Sequence, residues 1–227
     1  FEKNNTIVKN SDVNTGRNPV TQLFYGSGVN SYSRFIFDLD LTDLRAKFIS
    51  CCVEAETLTH TLKMTNTSNF DDTLINNSPL MDGTRRATSF TLQLFKVEDA
   101  VPNWSEGVGY DYQVPHISIE PEYNTTQSNR PSNWTHADTI TPWMNAGTYD
   151  NSAAQSPTNY TVLATQKFDH GDENIEFSNA ALDSEINNRL MSNLAINVVY
   201  GISFIPALEN ITGATESYSV GFFSRHT

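Results

Sequence analysis

The stretch SRFIFDLDL, Ser33 to Leu41, decides the fold class of this chain. Apolar and polar side chains alternate along it, the apolar set at Phe35, Phe37, Leu39 and Leu41 and the polar set at Arg34, Asp38 and Asp40. Successive side chains of a strand point to opposite faces, so this period of two predicts an antiparallel strand with one buried face and one face in solvent. Arg34 is therefore expected on the solvent side.

The same alternation recurs along the chain and predicts further half-buried strands. It occurs in TLTHTLKM (57–64), SFTLQLFKV (89–97), YTVLATQKF (160–168) and SYSVGFFSR (217–225). In the third of these, Val162, Ala164 and Phe168 share the predicted buried face. The more continuously apolar INVVYGISFI, from Ile196, predicts a central strand covered on both sides, and DENIEF predicts a short strand.

One helix is predicted over AALDSEINNRLMSN (180–193), where apolar residues recur at four-residue spacing. These residues are Leu182, Ile186 and Leu190, and the caps available before them are Ser178 and Asn179. A shorter helical turn is expected over TDLRAK (42–47), with Thr42 or Asp43 as its cap.

The long segment from about residue 102 to 160 is rich in Pro, Gly, Asn and Ser, yet it carries six aromatic residues between Trp104 and Trp143. A structureless loop of this length is uncommon in a compact domain, so its aromatic residues are expected to fix it to the rest of the fold. Within it, WSEG predicts a tight turn in which Glu106 bonds backbone and Gly107 takes a strained conformation. Together these patterns favour an all-β fold, a single antiparallel β-sandwich of jelly-roll type with one short helix over residues 1–227.

Composition limits the classes of function. The chain has 227 residues, 38% of them hydrophobic, and a formal net charge of −12. This acidic balance disfavours nucleic acid and anionic membrane as partners, and no apolar run approaches the roughly 18 residues of a membrane span. The adjacent Cys51 and Cys52 offer no disulfide framework, which favours folding in a reducing cytosol. Because the sequence begins at Phe1 and stops at Thr227, it is expected to be a fragment of a longer chain.

Several stretches, taken in order, carry a resemblance to a known family. They are TGRNPVTQLFYG, SRFIFDLDLTDL, LTHTLKMTNT, NWSEGVGYDY, RPSNWTHADTITPWMNAGTYD, QKFDHGDENIEFS, GISFIPALEN and YSVGFFSRHT. The ordered set resembles tailed-bacteriophage virion structural proteins whose jelly-roll domain is similar to the DNRLRE-type, carbohydrate-binding-module-like domain. The resemblance implies a head-decoration, collar or tail-fibre component that packs with copies of itself and other virion proteins. It also implies a virion location, with assembly in the host bacterial cytoplasm.

The tryptophans of the long segment have two interpretations. An exposed, flat indole with polar neighbours forms a platform for a sugar, whereas a buried indole fixes a loop to the edge of a sandwich. The candidate binding residues, for a glycan or for a subunit interface, are Trp104, Trp134, Trp143, Asn133, Asp138, Tyr110 and Tyr112. The alternative function is therefore a carbohydrate-binding module that recognises a host surface glycan through the Trp134–Trp143 loop.

The acidic turn FDHGDENIEF offers Asp169, Asp172 and Glu173 as ligands for a structural calcium ion, since Ca²⁺ prefers carboxylate oxygens at close spacing. The spacing is not that of an EF-hand loop, and Gly171 with Asp172 equally predicts a simple hairpin turn. No other cofactor is expected.

Catalysis has little support in the sequence. No nucleophile elbow, HExxH motif or phosphate-binding loop is present. His60, on an apolar strand face, is interpreted as a hydrogen-bonded core or interface residue. Glu54 and Glu56 share one strand face and are interpreted as solvated rather than as a glycosidase pair. The chain is therefore not expected to be an enzyme.

Overall fold

The computed structural model covers the chain, and its description applies to thirteen segments. These are residues 1, 3–9, 15–26, 31–51, 58–67, 85–87, 89–97, 103–107, 131–138, 140–151, 159–192, 198–211 and 216–224.

The described residues form ten strands and three helices. In chain order these are β1 (Lys3–Val8), β2 (Val20–Gly26), β3 (Ser31–Asp38), α1 (Thr42–Ser50), β4 (Leu62–Met64), β5 (Arg85–Ala87), β6 (Phe90–Val97), β7 (Tyr160–Phe168), β8 (Ile175–Phe177), α2 (Ala180–Met191), β9 (Tyr200–Phe204), α3 (Pro206–Glu209) and β10 (Glu216–Phe223). The chain is an antiparallel β-sandwich of jelly-roll type, as the alternating pattern predicted.

The strands form two layers that meet at β3. One layer has the order β1-β3-β9-β6-β7, and the other contains β5, β10 and β2. The last two residues of β2 pair with the first two residues of β3, so that Tyr25 lies opposite Tyr32 and Gly26 opposite Ser31. The small β4-β8 sheet lies beside β10, because Asn66 forms a bridge with Phe222. Within these sheets the pairing is antiparallel except between β5 and β10.

Aromatic side chains join the two layers across the core. Phe90 and Phe168 stack with ring centroids 4.9 Å apart in the first layer. They meet Tyr218 and Phe222 of β10 at 6.3 and 6.2 Å, in edge-to-face geometry. Phe204 of β9 also contacts Tyr218, at 5.9 Å. Burial of these large rings is the main source of stability for the interface between the layers.

Most of the predicted strands are confirmed. β3, β6, β7, β8 and β10 lie where the alternation placed them, and every residue of β9 is buried, as predicted for a central strand. The strand predicted over 57–64 is shorter, because the described part begins at 58 and only Leu62–Met64 is in strand conformation.

Strand β1 was missed because its sequence, KNNTIV, has three consecutive polar residues that are buried, Asn4, Asn5 and Thr6. Asn4 Nδ2 donates to the carbonyl of Gly16 at 2.9 Å, and Asn5 Nδ2 donates to the carbonyl of Ser132 at 2.7 Å. A buried carboxamide is tolerated when its hydrogen bonds are made, but a sequence pattern does not reveal such partners.

The predicted buried face of β7 is wrong at Val162. The register with β6 shifts so that Leu94 lies opposite Ala164 but Phe95 lies opposite Val162, which leaves Leu163 as an extra residue. Such a bulge interrupts the period of two. As a result Leu163 is only 3% exposed, whereas Val162 is 39% exposed.

The predicted helix at 180–193 is confirmed as α2, whose cap Asn179 accepts a hydrogen bond from the amide of Ala181 at 3.0 Å. The predicted turn at 42–47 is the longer helix α1, and its cap prediction is wrong. Leu41 occupies the cap position, while the Asp40 carboxylate accepts from the amide of Thr42 at 2.9 Å. The third helix, α3, was not predicted.

No helix in the described segments is long and apolar enough to cross a membrane.

The bulge in β7 predicts unequal effects of two neighbouring substitutions. We expect Leu163→Ala to lower the free energy of unfolding by about 2–4 kcal/mol, because it empties a filled core position. The matched Val162→Ala change is expected to cost less than about 1 kcal/mol, because that side chain is partly in solvent. Urea unfolding of both variants measures the difference, and an equal loss in the two would contradict the bulge.

Candidate functional site

A buried ion pair between β3 and α3 organises the candidate site. The side chains of Arg34 and Glu209 are both fully buried. Arg34 Nε donates to Glu209 Oε1 at 3.0 Å, and its Nη2 donates to Oε2 at 2.7 Å. This two-pronged geometry is the strongest arrangement of an arginine and a carboxylate. The expectation that Arg34 faces solvent is therefore wrong, because the outer face of β3 is covered.

The same guanidinium group holds a segment of the long loop. Arg34 Nη1 donates to the carbonyl oxygens of Gly147 at 2.6 Å and Tyr149 at 3.1 Å. The Tyr149 ring centroid lies 3.5 Å from the guanidinium carbon, and the Trp134 centroid lies 5.0 Å from it. We call residues 131–138 and 140–151 the anchored loop, since these contacts fix it over β3.

The groups around Arg34 keep its guanidinium charged. Burial alone would lower the pKa of Arg34, but the Glu209 carboxylate together with the phenols of Tyr149 and Tyr32 outweighs it, and that pKa is raised above its ordinary value. Burial also raises the pKa of Tyr149 well above its ordinary value, so the phenol stays protonated and acts as a donor. Tyr149 Oη donates to Glu209 Oε2 at 3.2 Å. Because Arg34 and Tyr149 both donate to it, the buried Glu209 carboxylate is stabilised in the interior.

A polar row beneath the anchored loop extends the network across the sheet. β3 pairs with β9 so that Phe35 lies opposite Ile202, which places the preceding Arg34 beside Ser203. Gln93 of β6 lies opposite Ser203. Tyr149 Oη lies 3.1 Å from Ser203 Oγ and accepts a hydrogen bond from Gln93 Nε2 at 3.2 Å. One face of the sheet therefore carries polar groups that bond one another, the anchored loop and α3.

The local sequence explains why Glu209 reaches this point. Strand β9 ends at Phe204, and Pro206 occupies the first turn of α3, where its fixed backbone angle favours a helix start. One turn later Glu209 lies over β3. The short helix thus redirects the chain immediately after a central strand.

The structure buries all three tryptophans, which favours their interpretation as anchors. Trp104 is 2% exposed, and Trp134 and Trp143 are each 6% exposed. Trp143 Nε1 donates to the carbonyl of Asn133 at 2.8 Å, as expected of a buried indole that fixes a loop. Trp134 meets the Tyr32 ring edge-to-face at 5.3 Å. Gly147, with φ +74°, lies so close to the indole of Trp134 that a Cβ atom there would be 2.4 Å from it.

Trp104 belongs to a short segment that joins the anchored loop. The amide of Ser105 donates to the carbonyl of Ala137 at 2.8 Å, and the amide of Ser132 donates to the carbonyl of Ser105 at 3.1 Å. Within the described residues the Nε1–H of Trp104 has no acceptor. The predicted role of Glu106 is confirmed, since its Oε1 accepts from the amide of Asn4 at 3.1 Å.

The predicted strain at Gly107 is wrong. Its φ angle is not positive, in contrast to those of Gly147 and Gly171. A glycine fits here because a Cβ atom would lie 2.2 Å from Asn5 Oδ1. The requirement at Gly107 is therefore close packing rather than an unusual backbone angle.

The polar candidates of the anchored loop stabilise its own turns. Asn133 Oδ1 accepts from the amides of Thr135 at 2.8 Å and His136 at 2.9 Å. Asp138 Oδ1 accepts from the amides of Ile140 and Thr141, at 2.9 and 2.8 Å. Although partial burial acts to raise it, these bonds hold the pKa of Asp138 below its ordinary value. Tyr110 and Tyr112 lie outside the described residues, as do Glu54 and Glu56.

An open cleft of about 390 Å³ lies at the edge of the anchored loop. It is lined by Lys9, Tyr32, Trp134, Asn145, Ala146, Tyr149, Asp150, Asn151 and Asn210. We call it the loop cleft. Of the candidate residues inferred from sequence, Trp134 alone lines it, and the other wall residues come from the end of β1, from β3, from the anchored loop and from the end of α3.

The acidic turn after β7 does not assemble the predicted calcium ligands. Glu173 Oε1 accepts from the amides of Asp169 at 2.7 Å and His170 at 3.0 Å, and its Oε2 accepts from Gly171 at 2.7 Å. The Asp169 carboxylate is paired with Lys167 instead. Among the residues that the structure describes, no three acidic, histidine or cysteine side chains converge on a metal position. Gly171, at φ +80°, forms the turn that the sequence offered as the other interpretation.

His60 is half-buried and hydrogen-bonded, as predicted, with its Nε2 2.8 Å from Asn187 Oδ1 of helix α2.

Comparison with known proteins yields no family assignment. No family model, no curated protein sequence and no solved structure matches this chain.

The buried ion pair predicts a large cost for removal of one partner. We expect Arg34→Met to lower the free energy of unfolding by about 3–5 kcal/mol, because Glu209 is left as an unpaired buried charge. The double variant Arg34→Met with Glu209→Met is expected to lose less than the sum of the single changes. Chemical unfolding of the three variants measures this coupling.

A matched control comes from an exposed ion pair. Lys63 and Glu176 are 3.0 Å apart with side chains 65% and 60% exposed. Lys63→Met is expected to cost less than about 1 kcal/mol. If Arg34→Met cost no more than this control, the organising role of the buried pair would be refuted.

The acidic turn predicts a pH-dependent contribution to stability. Partial burial acts to raise the pKa of Glu173, but the amides of His170, Asp169 and Gly171 hold it below the ordinary 4.5. Its contribution is therefore fully present above the unfolded pKa and is lost as the pH falls through the lower folded pKa. Glu173→Gln should destabilise the protein at neutral pH, and the difference should shrink in acid.

Thermal unfolding of wild type and Glu173→Gln across the acidic range measures this difference, with Glu176→Gln on the neighbouring strand as the control. We also expect calcium chloride to leave the melting temperature unchanged. A pH-independent difference, or a rise in melting temperature with calcium, would contradict this account of the turn.

Proposed function

We propose that this chain is a structural component of a tailed-phage particle and that it acts by packing against other subunits rather than by catalysis. The ordered resemblance from TGRNPVTQLFYG to YSVGFFSRHT supports the phage origin. The observation that carries the assembly role is the position of α1, where Leu44 and Ile49 lie on the surface.

No residue of helix α1 is fully buried, although Phe48 packs against the core. Within the helix, Ile49 is 61% exposed and Leu44 is 40% exposed. Arg45 of α1 donates to the carbonyl of Ser192, directly after the exposed Met191 of α2. We call Leu44, Ile49 and Met191 the helix-pair surface. Exposed apolar side chains beyond the scattered few of an ordinary surface are typical of protein–protein contact sites.

A second apolar surface lies on the anchored loop. Ile140 and Met144 are 82% and 62% exposed. Two different apolar surfaces on one subunit suit heterologous contacts, in which one patch meets a different patch of the next copy. Contacts of this kind form rings when the rotation between copies closes, an arrangement that suits a collar or a tail.

The internal use of the loop's polar groups also supports a structural role. Asn133, Asp138 and Trp143 bond to the loop itself, and Arg34 with Glu209 holds it to the sandwich. A carbohydrate-binding module that uses a flat indole platform is disfavoured by the burial of Trp134 and Trp143.

Peptide mass spectrometry of density-purified particles tests the proposal directly. We expect stoichiometric peptides from this chain in particles of a phage that encodes it. The copy number relative to the major capsid protein separates head decoration from a collar or fibre. Absence of the chain from clean particles would overturn the proposal.

A pair of variants connects incorporation to the helix-pair surface. We expect Ile49→Asp to reduce incorporation into particles at unchanged melting temperature, since it places a charge in an apolar contact. Ala46→Asp on the same helix adds the same charge outside the named apolar set and is the control. Equal incorporation of both variants would show that α1 is not the contact.

A further inference from the structure

The loop cleft contains an amine. Among the described residues that line the cleft, Lys9 is the one lysine, out of six in the chain. The volume of the cleft, about 390 Å³, falls at the lower end of the range in which proteins bind small molecules. The assembly role proposed above uses neither Lys9 nor the cleft. A small molecule that enters the cleft therefore meets this amine.

Contacts of the backbone and of the side chain hold Lys9 at the wall of the cleft. Its amide donates to the carbonyl of Tyr32 at 2.9 Å, directly after strand β1. Its Nζ lies 4.6 Å from the centroid of the Tyr32 ring. That ring is itself fixed, since Asn151 Nδ2 donates to Tyr32 Oη at 3.0 Å and Trp134 packs against the ring. The amine therefore lies half-buried on a rigid surface, whereas an ordinary lysine keeps its charged end in water.

The surroundings of Lys9 favour the neutral amine. Burial is the largest influence and lowers the pKa of Lys9. The Glu209 carboxylate acts to raise that pKa and the Arg34 guanidinium acts to lower it, and in sum the pKa lies below its ordinary value. Since only a neutral amine is nucleophilic, a larger share of Lys9 than of an ordinary lysine can attack a carbonyl carbon.

Two other groups at the wall suit the chemistry of a carbonyl compound. The Nδ2 of Asn145 is buried and has no acceptor within the part of the chain that the structure describes. A carbonyl oxygen in the cleft supplies that acceptor, and negative charge that develops on the oxygen strengthens the bond. The Asp150 carboxyl group also lines the cleft and can carry a proton between nitrogen and oxygen. A nucleophile, a donor for oxygen and a proton carrier thus share one cleft.

Charge limits the kind of carbonyl compound. The chain has a net charge of −12, and Asp150 adds a carboxylate at the cleft itself. An anionic compound is therefore repelled, whereas a neutral one enters without that cost.

We propose that Lys9 captures a small neutral aldehyde in the loop cleft by forming an imine. The Nζ lone pair attacks the carbonyl carbon, a C–N bond replaces the carbonyl π bond, and the oxygen takes up that electron pair beside Asn145 Nδ2. A proton passes from nitrogen to oxygen through Asp150, which gives a carbinolamine. The C–O bond then breaks, a second proton follows the same route, and water leaves.

The atoms of this step balance without an oxidant or a reductant. Both hydrogens of the amine end in the water, so one amine and one aldehyde give one imine and one water. Asp150 returns to its starting form. The capture is stoichiometric, and it holds whether or not the chain is a virion component.

The test treats the purified, folded chain with benzaldehyde at neutral pH, traps imines with cyanoborohydride and quantifies each lysine by peptide mass spectrometry. We expect Lys9 to be labelled at least about fivefold faster than Lys63 and Lys167. Those two side chains are 65% and 67% exposed and serve as controls within the same sample. The rate at Lys9 should level off as benzaldehyde is increased, because the aldehyde binds in the cleft before it reacts. The rates at the two exposed lysines should rise linearly.

Two variants test the roles of the wall. Asn145→Ala and Asp150→Asn should each slow the labelling of Lys9 about threefold or more and leave Lys63 unchanged. Asp172→Asn, in the exposed turn after β7, is the matched control for Asp150→Asn and should be labelled like wild type. Melting temperatures show whether each variant is folded. Asn145→Asp, which keeps the side-chain shape but loses the donor, replaces Asn145→Ala if that variant is unstable.

Labelling of Lys9 no faster than that of Lys63 and Lys167 would overturn the proposal. So would a rate at Lys9 that rises linearly with benzaldehyde, or one that both folded wall variants leave unchanged. Detection of the chain in phage particles has no bearing on these outcomes, so this proposal and the assembly role fail separately.

Discussion

A guanidinium group without access to water must meet its hydrogen-bond acceptors inside the protein, and Arg34 imposes this requirement on the whole fold. Its acceptors come from two distant places, the Glu209 carboxylate of α3 and the carbonyls of Gly147 and Tyr149 in the anchored loop. Neither source alone satisfies the group. The central sheet, the helix after β9 and the loop therefore adopt their positions together, and the loop cleft is formed where they meet.

The central sheet is consequently covered on both sides. On the inner face Phe35, Ile202 and Leu94 stand in register across three strands and pack toward the second layer. On the outer face the polar row from Arg34 to Gln93 lies under Tyr149. Gly201 fits this arrangement, because a Cβ atom there would lie 2.3 Å from the ring of Phe95. An irregular loop thus acts as a third layer.

Sequence pattern was sufficient for features that depend on neighbouring residues. The alternation in β3, β6 and β10 and the spacing of Leu182, Ile186 and Leu190 require no knowledge of distant partners. The predictions that failed concern features that depend on residues far away in the sequence. Arg34 was placed in solvent because its acceptors lie more than a hundred residues away, and Val162 was placed inside because a bulge depends on the partner strand.

The acidic turn suggested a metal because the sequence does not show that Glu173 already bonds three amides. Trp134 was the one cleft residue that composition could suggest, since the others join it only through the fold.

The long separation between Arg34 and its partners also sets an order of events during synthesis. Glu209 follows Arg34 by 175 positions, and Gly147 follows it by 113. Contacts this far apart in sequence form late, because a long stretch of chain must first be ordered to bring them together. While a ribosome extends the chain, the Arg34 side chain remains hydrated and the outer face of the sheet stays uncovered until α3 has emerged. Helix α3 therefore completes an interior that strand β3 began.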